Sequence, residues 1–262
     1  MYILDKKNWF SLLKFKKEGG CIMNYNGNSY PQNSYQRYEQ SNGLADYTRR
    51  VFGWMFIGLA ITFAIGFYIM LNQDVAVKFL AKNIGAYYVV ALIEVVMVFI
   101  LGFFVRKLSP VVCKVIFLFY SVLNGITIAP ALIACGYTSA FYAFAATSLI
   151  FGAMSLYGMA TKKDLTKLGS ILFIGLIGLI IYSVIAMLFH MPMSDLIISI
   201  IGIVIFVGFT AYDTQKIKRY YSGFSGDQVS LQKTAIIVAL DLYLDFINLF
   251  LYILRLFARS RD

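Results

Sequence analysis

Four carboxylic acids lie within strongly apolar stretches of the sequence. They are Glu94, Asp213, Asp241 and Asp245. A charged Asp at the centre of a membrane helix costs about 2.5–3.5 kcal/mol on insertion scales, so each acid requires an explanation. Two of these acids belong to a series of polar residues that recur at spacings of 4, 3, 4 and 3. The series is Asp241, Asp245, Asn248, Tyr252 and Arg255. This spacing predicts one stripe along a helix that faces a bundle interior or a wet cavity.

Within this stripe the acids differ from the neutral polar residues in what they can do. Asn248 and Tyr252 are expected to fasten helices together, for about 0.6 kcal/mol each. Asp245 is a poor fastener, since an unpaired carboxylate is costly when charged, and we expect a functional role for it. Asp241 lies one turn from Asp245, about 6 Å along the helix axis.

The acids outside the stripe have competing interpretations. Asp213 lies one turn after Thr210 and just before a basic connection, so it is either a functional acid or an interfacial acid paired with Lys216 or Lys218. Glu94 lies in the middle of its apolar segment, twelve residues before Arg106.

A third apolar segment contains a proline beside polar residues. Asn124 and Thr127 share a helix face with Tyr120, and Pro130 is expected to interrupt the helix. Polar residues at such positions usually serve close packing. The carbonyl that Pro130 leaves without a hydrogen bond could line a cation path or be satisfied by a neighbouring group.

The sequence contains no recognisable enzyme machinery. It has no phosphate-binding loop, no nucleophile paired with a base and no His and Cys metal cluster, and its three cysteines form no CxxC pair. We therefore expect neither an enzyme nor a bound cofactor.

The composition explains how these acids are positioned. Of the 262 residues, 60% are hydrophobic and 14% are charged, whereas a soluble domain has about 25% charged residues. Blocks such as 51–71 are continuously apolar over the length of a membrane helix, which excludes the alternating pattern of a transmembrane barrel. The sequence predicts an all-α integral membrane protein.

Charged residues, Pro and Gly divide the apolar material into seven predicted spans. They are 51–71, 86–105, 110–134, 138–160, 168–189, 195–215 and 235–257. Basic residues follow the second, fourth and sixth spans, so the positive-inside rule places these connections and the N-terminus in the cytoplasm. The arginines near the C-terminus oppose seven full crossings, and a last segment that does not cross fully would remove the conflict. The same distribution explains the formal charge of +10 by lipid contacts, without nucleic acid.

The N-terminal 48 residues differ from the rest. Residues 1–22 are either a basic interfacial helix or upstream sequence, because Lys17 to Gly20 permit codons that form a bacterial ribosome-binding site before Met23. Residues 23–48 contain scarcely any aliphatic side chains and predict a disordered cytoplasmic tail. The membrane domain then covers 49–262.

Three motifs resemble one known family. AYDTQKI lies in the sixth span, LYLDFINLFLYILR in the seventh, and NGIT with Pro130 in the third. Over about residues 45–257 the chain resembles the bacterial branch of the Bax inhibitor-1 family, also called transmembrane Bax inhibitor motif-containing proteins. The resemblance implies a seven-helix fold with the last helix central, and a pH-sensitive calcium leak across the bacterial inner membrane.

The resemblance also implies roles for individual residues. The family's carboxylate dyad corresponds to Asp213 and Asp245, which are the candidate calcium ligands. A family glutamate matches Glu94. The family arginine that latches the sixth-span acid corresponds only approximately to Arg106, which is displaced by one position. Asp241 departs from the family pattern, which more often has a small polar residue there.

The chemistry of such a dyad is that two carboxylates in a low-dielectric site cannot both ionise cheaply, so they share a proton. Protonation would hold the last two spans together, and its loss would create an anionic oxygen site suited to calcium. Asp241 would strengthen cation attraction and make the dyad harder to ionise, or would instead pair with Lys233 or Lys114. The competing function is a regulator that binds other membrane proteins, such as a membrane protease, and passes no ions.

Overall fold

The computed structural model describes residues 32–105, 107–189 and 195–259. The predictions for residues 1–22 and for Arg106 lie outside these residues. Seven helices occupy the described part of the chain. They are α1 (Gln32–Leu71), α2 (Gln73–Lys82), α3 (Ile84–Phe104), α4 (Pro110–Ala160), α5 (Thr166–Leu188), α6 (Asp195–Phe224) and α7 (Gln228–Arg259).

Six segments of these helices are long and apolar enough to cross a membrane. They are Asn42–Leu71, Ile84–Phe104, Pro110–Ala160, Thr166–Ser183, Leu196–Phe224 and Gln228–Ala258. Many of their large apolar side chains point outward, as expected of helices whose solvent is lipid. The chain is therefore an all-helical, multi-pass membrane protein, as its composition predicts.

The start of α1 differs from the sequence-based prediction. The helix begins at Gln32, so residues 32–48, which lie in the segment predicted to be a disordered tail, are helical. This stretch contains no proline, and it precedes the apolar part of the same helix without a break. Helix propagation from an apolar segment costs far less than nucleation, which explains how a polar sequence extends the helix.

Helix α4 corrects the prediction for Pro130. The helix continues through Pro130, and the interruption comes at Gly136, whose φ of 79° and ψ of 164° are not helical. A positive φ is readily adopted by glycine because it has no Cβ. Around Pro130 the helix is supported from outside, since the Tyr87 hydroxyl donates to the Thr127 carbonyl oxygen over 3.1 Å.

Helix α7 is the most buried of the six apolar segments and packs against α4 and α6. Its side chains Leu242, Leu249 and Phe250 are fully buried. Phe250 meets Phe63 of α1 edge to face, with ring centroids 5.1 Å apart. The acids of α7 are therefore held on an element whose rotation is fixed by tight packing.

Helices α4 and α6 approach each other at Gly158. A Cβ atom added to this glycine would lie 2.3 Å from the backbone oxygen of Ala211. Only a residue without a side chain permits this backbone contact, which positions α6 two residues before Asp213.

Candidate functional site

The predicted acids Asp213 and Asp245 are both buried, with 6% and 4% of their surface exposed. Asp213 lies on α6 and Asp245 on α7. These helices are joined by residues 225–227 alone, so they run antiparallel as neighbours. The connection explains how acids that are 32 positions apart in the numbering meet at one depth of the bundle.

The carboxyl groups of Asp213 and Asp245 line one cavity between neighbouring helices. An ionised carboxylate has only acceptor atoms, so a hydrogen bond between two such groups would require a proton on one of them. The Oδ2 atom of Asp245 is buried and has no hydrogen-bond partner among the described residues. Asp245 therefore retains free acceptor capacity inside the bundle.

A lysine joins the two helices beside this pair. The Lys216 Nζ atom lies 3.0 Å from Asp213 Oδ1 and 2.9 Å from Asp241 Oδ2. The pairing of Asp213 with Lys216 is one of the two that its position in the sequence suggests. Asp241 pairs with Lys216 rather than with Lys233 or Lys114, because α6 packs against the polar stripe of α7.

The acids surround one cavity of about 980 Å³. Glu94 enters it from α3, and Asp213, Asp241 and Asp245 enter it from α6 and α7. Helix α5 closes it with Ser170 and otherwise apolar residues between Gly169 and Ile180. Three separate helices thus bring carboxyl groups to a single space in the bundle.

Glu94 is held by hydrogen bonds from α4. Thr127 Oγ1 donates to its carboxylate over 2.9 Å, and the Asn124 amide approaches it at 3.5 Å. Both residues are predicted from the sequence to share a face, and the structure gives that face a partner. Two further groups extend this network, since Tyr243 donates to Asn124 Oδ1 over 3.0 Å and lies 2.6 Å from the Thr62 hydroxyl.

A family model described as inhibitor of apoptosis-promoting Bax1 matches residues 44–262. The chain belongs to the Bax inhibitor-1 family. The resemblance of its motifs to that family is thereby confirmed.

Bacterial relatives cover most of this chain. The inner membrane protein YbhL of Escherichia coli K12 is 37% identical over 220 residues, which are 84% of this chain and 94% of YbhL. An uncharacterized membrane protein of Streptococcus pyogenes serotype M1 is 36% identical over 231 residues, covering 87% of this chain and 99% of that protein. A protein of Rickettsia prowazekii is 37% identical over 221 residues, covering 84% and 92%.

The remaining predicted polar residues of this Bax inhibitor-1 protein lie in different places. Asn248 and Tyr252 line the cavity of the acids. Asn248 donates to the Leu244 carbonyl of its own helix over 2.8 Å, and Tyr252 packs on Gly202 of α6. Pro130 lines a separate apolar cavity of about 720 Å³, away from the acids.

The acids do not form a ready-made metal site. Among the described residues, no group of three or more His, Cys, Asp or Glu side chains is arranged to hold a metal ion. In this conformation the Lys216 ammonium occupies the space between the carboxylates of Asp213 and Asp241.

The sequence-based predictions miss the polar contacts of Tyr243 and Thr62. They anticipate only part of the contacts of Lys216, namely its pairing with Asp213. Tyr243 lies between two acids in sequence, but two residues along a helix turn it about 200° away from them, toward α1 and α4. The sequence feature that could have revealed this contact is a tyrosine hydroxyl inside an apolar segment, because such a hydroxyl usually has a hydrogen-bond partner when it is buried.

Proposed function

We propose that this Bax inhibitor-1 family protein is a pH-sensitive calcium leak channel of the bacterial inner membrane, in which Asp213 and Asp245 sense protons. One observation carries the proposal. Two buried carboxyl groups on neighbouring helices line a cavity of about 980 Å³ that two further acids also line.

The proton controls the contact between α6 and α7. While one proton is shared, the hydrogen bond between Asp213 and Asp245 holds the two helices together. When that proton leaves, two carboxylates repel each other across a space of low dielectric constant. Their separation joins the cavity to one membrane surface.

The same carboxylates then bind the ion. Calcium prefers oxygen ligands and tolerates irregular geometry, and the ionised acids supply such ligands without a rigid cage. Weak binding of this kind suits conduction, because an ion must leave as readily as it enters. Glu94, whose orientation Thr127 and Asn124 fix, provides a further oxygen site along the cavity.

We propose seven crossings with a cytoplasmic N-terminus and α7 at the centre of the bundle. At about 1.5 Å per residue, the 51 residues of α4 would extend more than twice the roughly 30 Å thickness of the hydrocarbon core. The non-helical Gly136 divides them at the boundary between two predicted spans. The expected partners are lipids, protons and calcium, with no enzymatic activity, cofactor or nucleic acid.

The proposal is tested with the purified full chain in vesicles loaded with calcium. Leak should rise with pH across the ionisation of the acid pair, and Asp213→Asn and Asp245→Asn should each flatten this pH profile. Asp74→Asn, at an exposed acid of α2, is the matched control and should keep the parental profile.

Two outcomes contradict the proposal. If both single variants at the acid pair retain the parental pH profile, the shared proton does not control the leak. If the parental protein passes no calcium at any pH, the protein is no channel, and the remaining function is that of a regulator that binds other membrane proteins.

A further inference from the structure

Among the residues that the structure describes, Lys216 is the cation that contacts the acid pair. Its ammonium contacts Asp213 on its own helix and Asp241 on α7, at 3.0 Å and 2.9 Å. Its side chain is 23% exposed, and its ammonium lies 5.3 Å from the centre of the Tyr212 ring. A positive charge in so enclosed a position neutralises carboxylates that a mobile cation would otherwise contact.

We propose that the Lys216 ammonium competes with the transported cation for the carboxylates of Asp213 and Asp245. When the cation binds these two acids, the ammonium keeps its ion pair with Asp241 alone. This inference rests on the proposed function of the acid pair and adds its regulation. The ion pair of Asp241 with Lys216 then has a defined role.

The charged groups that face Lys216 determine whether a substitution raises or lowers the pH midpoint and the calcium affinity. Asp213, Lys216 and Arg219 come from α6, and Asp241 and Asp245 come from α7. Glu94 of α3 lies across the same cavity, while α5 contributes no charged residue and α4 only the phenol of Tyr120 to its lining. Arg219 is engaged elsewhere, since it donates to the Thr166 hydroxyl over 2.6 Å.

The net charge of the three acids and Lys216 is opposite to that of a divalent cation. When Asp213, Asp241 and Asp245 are all ionised, the three carboxylates and the Lys216 ammonium carry a formal charge of minus two, which one calcium ion neutralises. Lys216 thus sets the charge that the open site presents.

Asp241 makes the withdrawal of the lysine possible. Without Asp241 the ammonium would have Asp213 as its only partner and would compete more strongly for it. With Asp241 the ammonium keeps one short ion pair while Asp213 turns to the entering ion. Because Asp213 and Asp241 lie on different helices, movement of α6 against α7 changes which of these two carboxylates the ammonium can reach.

The test compares Lys216→Gln, Asp241→Asn and the double variant in the full chain. Removal of the ammonium should raise the pH midpoint of carboxyl ionisation by about 1 unit and tighten calcium binding about tenfold. Removal of the Asp241 charge should lower the midpoint and weaken calcium binding by similar factors. The double variant should return both quantities toward the parental values.

Two measurements keep this inference separate from the proposed function. Carboxyl ionisation is followed by the infrared band of protonated carboxyl groups, and calcium binding by equilibrium titration, so neither depends on ion flux. Lys162→Gln, at an exposed lysine before α5, is the matched control for loss of a positive charge. Lys216→Arg retains the charge and should keep the parental midpoint.

Opposite shifts in the two single variants support the lysine competitor, even if the parental protein leaks no calcium. If both variants shift in the same direction, or if neither differs from its control, Lys216 is only a fastener between α6 and α7 and the inference is wrong. If Lys216→Gln does not fold, the calcium affinity of Asp241→Asn decides. A purely structural role of Lys216 does not predict that its ammonium competes more strongly with calcium for Asp213 once Asp241 is neutral.

Discussion

The hydroxyl of Tyr243 is the centre of a buried polar cluster on the side of α7 opposite Asp241 and Asp245. It donates to Asn124 Oδ1 over 3.0 Å and lies 2.6 Å from Thr62 Oγ1, which also donates to the Ser121 carbonyl over 2.8 Å. Tyr243 and Thr62 are fully buried. Because two hydroxyl protons serve three contacts, two of these hydrogen bonds exist at any moment.

Tyr243→Phe removes this hydroxyl and leaves the ring in place. Thr62 then keeps its bond to the Ser121 carbonyl, while Asn124 Oδ1 loses its donor in a buried position. One hydrogen bond is lost and one buried acceptor is left unsatisfied. The cost in the free energy of unfolding is about 1–2 kcal/mol, above the roughly 0.6 kcal/mol of an average membrane hydrogen bond.

Reversible unfolding in mixed detergent micelles, followed by circular dichroism, measures this cost. Tyr120→Phe is the matched control, because Tyr120 is also buried, packs on the Tyr243 ring at 5.8 Å and makes no hydrogen bond through its hydroxyl with the described residues. The control should lose less than half as much. Equal losses in the two variants would refute the reasoning.

Tyr243→Phe should leave the pH midpoint of calcium leak unchanged. In the described part of the chain, the Tyr243 hydroxyl has its hydrogen-bond partners on α1 and α4, and its link to the cavity runs through Asn124 to Glu94 rather than to Asp213 or Asp245. The pH profile in calcium-loaded vesicles checks this expectation. A displaced midpoint would mean that the two polar faces of α7 are coupled.

The remaining predictions concern packing and the start of α7. Gly158→Ala should lower the unfolding midpoint of the protein in detergent strongly, since its Cβ would meet the Ala211 backbone at 2.3 Å, whereas Gly152→Ala, with open space around it, should not. Hydrogen bonds from the Ser230 hydroxyl and backbone N–H lower the pKa of Asp227 at the start of α7. Since this pKa is lower in the folded state, its stabilisation is present above the unfolded pKa and is lost as pH falls through the folded one. Asp227→Asn should therefore make the unfolding midpoint less dependent on pH in the acid range.

The sequence predicts the class of this protein and the approximate extent of its helices because apolar length and charge are local properties. The predicted spans 86–105 and 235–257 fall close to or within Ile84–Phe104 and Gln228–Arg259. The interruption expected at Pro130 is wrong, whereas the boundary predicted between 110–134 and 138–160 contains the non-helical Gly136. A proline lowers helix stability locally, but neighbouring helices can support it, and the residue that turns the chain is Gly136.

Only the acids of the candidate site could be predicted from the sequence. An acid in an apolar segment is conspicuous wherever its helix packs, so Glu94, Asp213, Asp241 and Asp245 are visible in the sequence. The partner of each acid depends on how the helices rotate against each other. That rotation follows from contacts such as Gly158 on Ala211 and Phe63 on Phe250, which no local pattern specifies.

Helix α7 carries two polar arrangements on opposite faces, and this division separates stability from pH response. The Asp241 and Asp245 face borders a cavity large enough to admit ions, whereas the Tyr243 face is closed by Thr62 and Asn124. A change in proton occupancy on the first face can therefore alter the contact with α6 while the second face keeps α7 attached to α1 and α4. On this reasoning, substitutions at Lys216 or Asp241 move the pH midpoint more than the unfolding free energy, and Tyr243→Phe does the reverse.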